Sequence, residues 1–278
     1  MVAPVPVPTL RPETTAALAA VRSGLRLVVA RHAADDVRTK GPGDLVTGTD
    51  LAVQATIERG LGEWCPEIAF VGEETDNAVV PMHGRYWLVD PLCGTANYVA
   101  GLPLVAVNVA LVEDEHVTAA VVGDGTTGAL YAAERDHGAW QFSGRDAVRL
   151  NVSDVSGLIS IDPHGRGPGK LRTFGRSFAR RAMDSDRWDV RGFGTSLVLA
   201  YLATGRLAAV VYAQDGLPVH FAAGLLLAEE AGAIVTDHIG KPWDLRSPVL
   251  VAAATQPFHR KLLTMAQQAA AELCEDRP

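Results

Sequence analysis

The chain has 278 residues, 48% hydrophobic and 21% charged, with a net charge of −7. That length supports one large domain or two closely packed subdomains with a sizeable core. The acidic balance argues against non-specific nucleic-acid binding. No apolar run reaches the roughly 20 residues that a bilayer span needs, so no membrane association is expected. The opening MVAPVPVPTLRPE lacks the positive head and long apolar stretch of a secretory signal. Cys65, Cys93 and Cys274 cannot all pair and show no C-x-x-C spacing, which predicts free thiols in a reducing cytoplasm.

In chain order, Pro12 to about His32 places Leu18, Val21, Leu25, Val28 and Val29 at helical spacing. Lys40-Gly-Pro-Gly-Asp44 reads as a turn, and Thr49-Asp50 as the cap of a helix ending near Gly62. Short buried strands are predicted at Ile68–Val71, stopping at Gly72-Glu73-Glu74, and at Tyr86–Val89, stopping at Asp90-Pro91. Val105–Val112 and Val117–Val122 read as a strand pair, followed by strands at Ala129–Ala133, Ala139–Phe142 and Gly157–Ile161. Past residue 162 strands and helices alternate, ending in a helix over Pro257–Leu273. The expected class is therefore α+β / α/β. An N-terminal α+β subdomain spans 1–161 and a C-terminal α/β subdomain spans 162–278, with the active site expected between them. The boundary is expected near Ile161–Pro168, which is rich in Gly and Pro.

Three carboxylates stand where elements end: Asp50 at a helix start, Glu73 and Asp90 at strand ends. Such positions converge readily at one rim of a sheet, and hard divalent cations require oxygen clusters of this kind. Each has a plainer explanation alone, Asp50 as a cap and Glu73-Glu74 as a solvated turn; their combination carries the argument.

The motifs Gly72-Glu73-Glu74-Thr75 and Trp87-Leu-Val-Asp90-Pro91-Leu92-Cys93-Gly94-Thr95-Ala96-Asn97-Tyr98 resemble the inositol monophosphatase family. The resemblance extends from Asp44–Asp50 through Gly194-Thr195-Ser196 and Ala222–Gly232 to Lys241–Leu245. It implies an inositol-monophosphatase-like layered αβαβα sandwich, usually a homodimer, and phosphomonoesterase ancestry with two or three Mg²⁺. It also implies that Glu73, Asp90 and the Leu92 carbonyl hold a first metal, and that Thr95 and Asp50 orient the attacking water. Gly94 and Thr95 would present amides to a phosphate at a helix start.

Two positions depart from the family pattern. Cys93 stands where D-G-T has its aspartate, and His220 where W-D has its own. Both aspartates belong to the family's second metal site, and Mg²⁺ binds poorly to sulfur and imidazole. The substrate-contacting acid upstream aligns with Ala213, for which Asp215 is the expected replacement. Oxygens of cis ligands on one Mg²⁺ lie about 3 Å apart, so their replacements should be near hydrogen-bonding reach. Cys93 at a helix start, His220 and Asp90 then have the design of an activated nucleophile.

The leading expectation is acyl- or thioester-type chemistry at Cys93, with His220 as base, Asp90 as orienter and no cofactor required. Two alternatives stay open. One is a metal-dependent phosphatase of a small sugar or cyclitol phosphate, using Mg²⁺ or, through Asp90, Cys93, His220 and Glu73, a softer divalent metal such as Zn²⁺ or Fe²⁺. The other is a non-catalytic binding protein. Separately, Asp162 to Asp184 holds no acid between its ends but Arg166, Lys170, Arg172, Arg176, Arg180 and Arg181. On a helix, Arg172, Arg176 and Arg180 share a face, either solvated or suited to an acidic carrier protein or a polyphosphorylated ligand.

Overall fold

The computed structural model describes residues 8–31, 36–41, 44–75, 80–81, 83–144, 146–162, 169–185, 187–213 and 218–275. The first helix, α1 (Pro12–Ala30), buries Ala16, Ala17, Ala20, Val21, Leu25 and Val28 along one stripe. Pro12 sits in its first turn, where no backbone donor is required. A hairpin of β1 (Arg38–Gly41) and β2 (Asp44–Val46) then leads to α2 (Gly48–Trp64). The cap of α2 is Thr47, not Thr49-Asp50. Thr47 and Asp50 form a capping box, each side chain bonding the other residue's backbone N–H.

The large sheet contains β3 (Ala69–Gly72), β4 (Arg85–Cys93), β5 (Ala106–Glu113), β6 (His116–Asp124), β7 (Leu130–Glu134), β8 (Gly138–Ser143) and β9 (Asp146–Arg149). A single helical turn, α3 (Thr95–Val99), separates β4 from β5. The strands lie in sequence order; β3 and β4 run parallel, and every later pair is antiparallel. The hairpin from β5 to β6 turns on Asp114 and Glu115, both at positive φ, the geometry of a tight turn matched to strand twist.

Side chains alternate across the pleat. Trp87, Val89, Val107, Val109, Leu111, Ala119 and Val121 face α1 and α2 and form one core with them. The opposite parity, including Leu88, Ala110, Ala120, Val122 and Tyr131, is equally buried. That face meets α6 (Ala222–Glu230), an almost wholly apolar helix lying on β5 to β8. Because this sheet is covered on both faces, its strands read as near-continuous apolar runs.

The remaining elements are β10 (Leu158–Ile161), α4 (Gly169–Asp184), β11 (Asp189–Arg191), α5 (Leu197–Ala203), β12 (Ala209–Ala213), β13 (Ile234–Thr236), β14 (Val249–Ala253) and α7 (Gln256–Glu275). Their sheet has the order β11-β10-β12-β14-β13. The alternation of strands and helices is as expected, but the sheet is mixed. β10 pairs parallel with β11 and β12, while β14 runs antiparallel to β12 and β13. Ile159, Ile161, Val211, Val249 and Val251 form a core with Phe174 and Phe178 of α4 and Leu262 and Ala266 of α7.

The two compact units are not contiguous halves. One contains 1–150, 194–200 and 217–230; the other contains 151–193, 201–216 and 231–278. The chain thus returns twice to the first unit, and the second return brings His220 with it. The expected boundary segment lies largely outside the described residues, since 163–168 are not among them.

Candidate active site

Residues three apart on a regular strand point to opposite faces. At the end of β4, Asp90 opposes Asn108 and Cys93 opposes Ala106, so three steps on β4 match two on β5. This bulge, at Pro91 and Leu92, returns Asp90 and Cys93 to one side. β4 therefore runs four residues past its predicted stop, and Cys93 ends a strand rather than starting a helix. Gly94 follows at φ 99°, and a Cβ there would meet the Leu104 carbonyl at 2.9 Å. The loop therefore needs glycine on both conformational and steric grounds.

His220 closes a 3-10 turn, Pro218–His220, just before α6. Its Nδ1 lies 2.7 Å from Asp90 Oδ2, and its Nε2 lies 3.8 Å from Glu73 Oε1. Asp90, Cys93 and His220 are all buried, and one ligating atom from each lies within 4.8 Å of the others. The Ser196 amide donates to Cys93 Sγ at 3.2 Å, and Asn108 Nδ2 reaches Ser196 Oγ at 2.8 Å and Asp90 Oδ2 at 3.5 Å. The fold thus brings the imidazole into hydrogen-bond contact with Asp90 and leaves the thiol within 4.8 Å of both.

Its electrostatics oppose the predicted thiol chemistry. Burial pushes the Cys93 thiol up, and the Asp90 charge adds to that, against smaller help from His220 and Ser196. The expected helix-start depression is absent because the following helix is one turn long and begins after Gly94. Burial works against the charge on His220, but Glu73 and Asp90 outweigh it and hold the ring well above its ordinary value. Burial likewise disfavours the Asp90 charge, but His220 overcomes it and keeps Asp90 low. An imidazole held towards its charged form by Asp90, beside a thiol pushed towards its neutral form, is not a general base facing a nucleophile. Glu73 is pushed up to about 8 by burial and the neighbouring Asp90 charge.

Around Thr95 the geometry is built from oxygen. Thr95 Oγ1 lies 3.1 Å from both Asp50 Oδ1 and the Leu92 carbonyl. Asp50 Oδ2 accepts from the Thr47 amide at 2.9 Å, so one buried carboxylate serves both the helix cap and Thr95. Glu73-Glu74 is not the solvated turn its sequence suggested. Glu74 is 4% exposed at its side chain, and its amide donates to Gln54 Oε1 at 2.9 Å. Gly72 permits this approach, since a Cβ there would lie 2.3 Å from Gln54 Oε1.

Several participants were not anticipated. Lys40, read as part of a turn, places Nζ 2.8 Å from Glu74 and 3.4 Å from Glu73. Asn108 was the legible signal overlooked: a single amide in the otherwise apolar run Ala106–Val112. Glu229 and Glu230 are both engaged as well. Glu229 pairs with Arg135 at 3.1 Å, and Glu230 accepts from the Asp136 and Gly138 amides at 2.8 and 2.7 Å. Asp215 and Arg166 lie outside the described residues. On α4, Arg172, Arg176 and Arg180 are exposed on one face, with Arg180 paired to Asp184 at 3.6 Å.

Comparison with known proteins adds the following. Residues 9–272 match the inositol monophosphatase family. Inositol monophosphatase 2 of Rattus norvegicus is 34% identical over 245 residues, covering 85% of this chain and 83% of that protein. An inositol-1-monophosphatase of Mesorhizobium japonicum is 33% identical, covering 82% and 84%. The crystal structure of the extragenic suppressor protein suhB from Bartonella henselae superposes with a TM-score of 0.80 at 27% identity, covering 92% of this chain and 99% of that one. These phosphatase relatives overturn the expectation of acyl or thioester chemistry at Cys93, in agreement with the protonation of the cluster. The expectation that no cofactor is required is corrected with it, because the family's phosphatases depend on Mg²⁺. The fold is the layered α+β / α/β fold of that family.

Proposed function

Since the chain belongs to the inositol monophosphatase family, we propose that it is a metal-dependent phosphomonoesterase acting on a small sugar or cyclitol phosphate. The observation that carries this reading is the intact oxygen side of the cluster: Thr95 Oγ1 within 3.1 Å of Asp50 and of the Leu92 carbonyl, beside the partly buried Glu73 and the fully buried Asp90. Glu73, Asp90 and the Leu92 carbonyl are hard oxygen donors, the set Mg²⁺ prefers. Their fit to a cation has a physical sign in the molecule, where Glu73 is raised to about 8 by burial and by Asp90. Two carboxylates crowd together there, and among the described residues Lys40 and His220 offset them.

When bound, such a cation supplies positive charge that acidifies water and stabilises the phosphoryl group in transfer. The chain's own residues do the positioning. With its hydrogen directed to Asp50, the Thr95 hydroxyl keeps a lone pair for a hydrogen of the attacking water. Asp50 is held by the Thr47 amide and cannot swing away. Gly94 lets the loop pack closely against the Leu104 carbonyl, where a Cβ would stand only 2.9 Å from that oxygen. The net reaction adds water across the phosphoester bond, giving an alcohol and inorganic phosphate.

The test is phosphate release from inositol monophosphate and a panel of sugar and cyclitol monophosphates, with Mg²⁺, Mn²⁺, Co²⁺ or Zn²⁺ added in turn. Release should be abolished by chelator and restored by returning the cation. Absence of release with every cation and substrate overturns the proposal. The relatives' names make inositol monophosphate the first substrate to try.

A further inference from the structure

We infer that Asp90, Cys93 and His220 form a site for a borderline-soft divalent cation of the zinc type, distinct in ligand chemistry from the oxygen site on Glu73 and Leu92. The inference deepens the metal-dependent reading, on which it rests through the shared carboxylate Asp90.

Zinc takes thiolate, imidazole and carboxylate together, at about 2.3, 2.0 and 2.0 Å, in tetrahedral array. Donor atoms in such an array lie roughly 3.3–3.6 Å apart. Here one atom from each of the three residues lies within 4.8 Å of the others, and the His220 Nδ1 to Asp90 Oδ2 contact of 2.7 Å would have to open slightly. Adjusting to zinc distances needs shifts on the order of 1 Å. Three protein ligands leave a fourth position for water or substrate, the arrangement of a catalytic rather than a structural zinc. Magnesium, which demands oxygen, has one suitable ligand among the three.

The surroundings resemble those that orient metal ligands. The Ser196 amide donates to Cys93 Sγ, a bond that favours thiolate, and Asn108 ties Ser196 to Asp90. The Leu92 amide donates to the other Asp90 oxygen at 3.2 Å. His220 turns Nδ1 to Asp90 and Nε2 towards Glu73, so a carboxylate stands behind the ring to fix its tautomer. The bulge matters most. On a regular strand the three-residue spacing from Asp90 would turn the Cys93 sulfur to the opposite face of the sheet, and the bulge prevents this. Cys93 and His220 retain 8% and 9% exposure, so an ion is not sealed out.

The test uses the full chain stripped by chelator and titrated with Co²⁺ alone, followed by Zn²⁺. The expected result is a thiolate-to-cobalt charge-transfer band in the near ultraviolet. Stoichiometric Zn²⁺ should abolish it, and a large excess of Mg²⁺ should not. The band should vanish in Cys93→Ala and persist in Cys65→Ala. Zinc affinity should fall more than about 100-fold in both Cys93→Ala and His220→Ala. Circular dichroism checks that each variant is folded, and Cys93→Ser serves if Cys93→Ala is not. No thiolate band in the folded wild type, or equal zinc affinity in the variants, overturns the inference. A thiolate band without phosphate release from any ester sinks the phosphatase reading and leaves the zinc site standing. Metal-dependent phosphate release without the band does the reverse.

Discussion

The loop from Asp90 to Tyr98 and the segment from Pro218 to Glu230 supply opposite sides of one cluster and are held by different means. The loop is fixed locally: a strand bulge, a left-handed glycine, and a threonine bonded to the carbonyl three residues back. Asp50, the one distant residue in that set, is itself fixed by the cap of its own helix. The second segment has almost no local polar code. Its helix is apolar except for two glutamates at its far end, which are bonded to the turn between β7 and β8 and set its register. The oxygen chemistry therefore sits on a loop whose shape is set largely by local bonds, while the imidazole depends on how a whole helix is pinned to a sheet.

That contrast can be broken from either side. The largest effect is expected for Thr95→Ala, which removes the hydroxyl joining Asp50 to the loop. The rate of phosphate release should fall about 10²–10³-fold, with circular dichroism unchanged. A loss under tenfold would mean that the oxygen side does not position the reaction. Next is Glu230→Ala, which takes the acceptors from the Asp136 and Gly138 amides. Urea unfolding should show a loss of about 1.5 kcal/mol, and the perturbation should reach His220 rather than Thr95. An unaltered urea midpoint would show that apolar burial alone registers the helix.

A smaller effect is expected at the cap. Thr47→Ala deletes one half of the capping box and should cost about 1 kcal/mol, lowering the melting temperature by roughly 2–4 °C. If the loop's shape is set as locally as its hydrogen bonds indicate, His220's contacts should be indifferent to this change. Histidine chemical shifts in the variant would reveal any failure of that separation.

The smallest effect lies outside both regions. Glu113 is held down at about 2, first by its hydrogen bonds from Arg11 and further by Thr118 and Arg85, despite the cost of burial. Its folded value is below the ordinary 4.5, so its stabilisation is present above about pH 4.5 and is lost as pH falls from there towards 2. Wild type should exceed Glu113→Gln in stability at pH 6, with the gap closing towards pH 2. High salt should shrink the gap at pH 6, because its partners are half-exposed. A gap that persists at pH 2 would assign Glu113 a packing role instead.

The sequence by itself determined the family, the class of fold, the residues of the loop and the identity of the two departures from its pattern. These are short-range matters, set by the apolar period of helices and strands and by motifs whose members lie within a dozen residues. Helix α1 and strands β8 and β10 could be placed almost to the residue for that reason. The tertiary structure alone decided the protonation of the cluster and the partition of the chain. Burial and the charges of Glu73 and Asp90 act through space, so the pattern that suggested an activated thiol could not reveal that the sulfur is pushed towards its neutral form and the imidazole towards its charged form. Likewise, no local signal at Pro218–Glu230 announces that this late segment belongs with the first 150 residues; the pairing arises because an apolar helix must cover the open face of a sheet formed long before it in the chain.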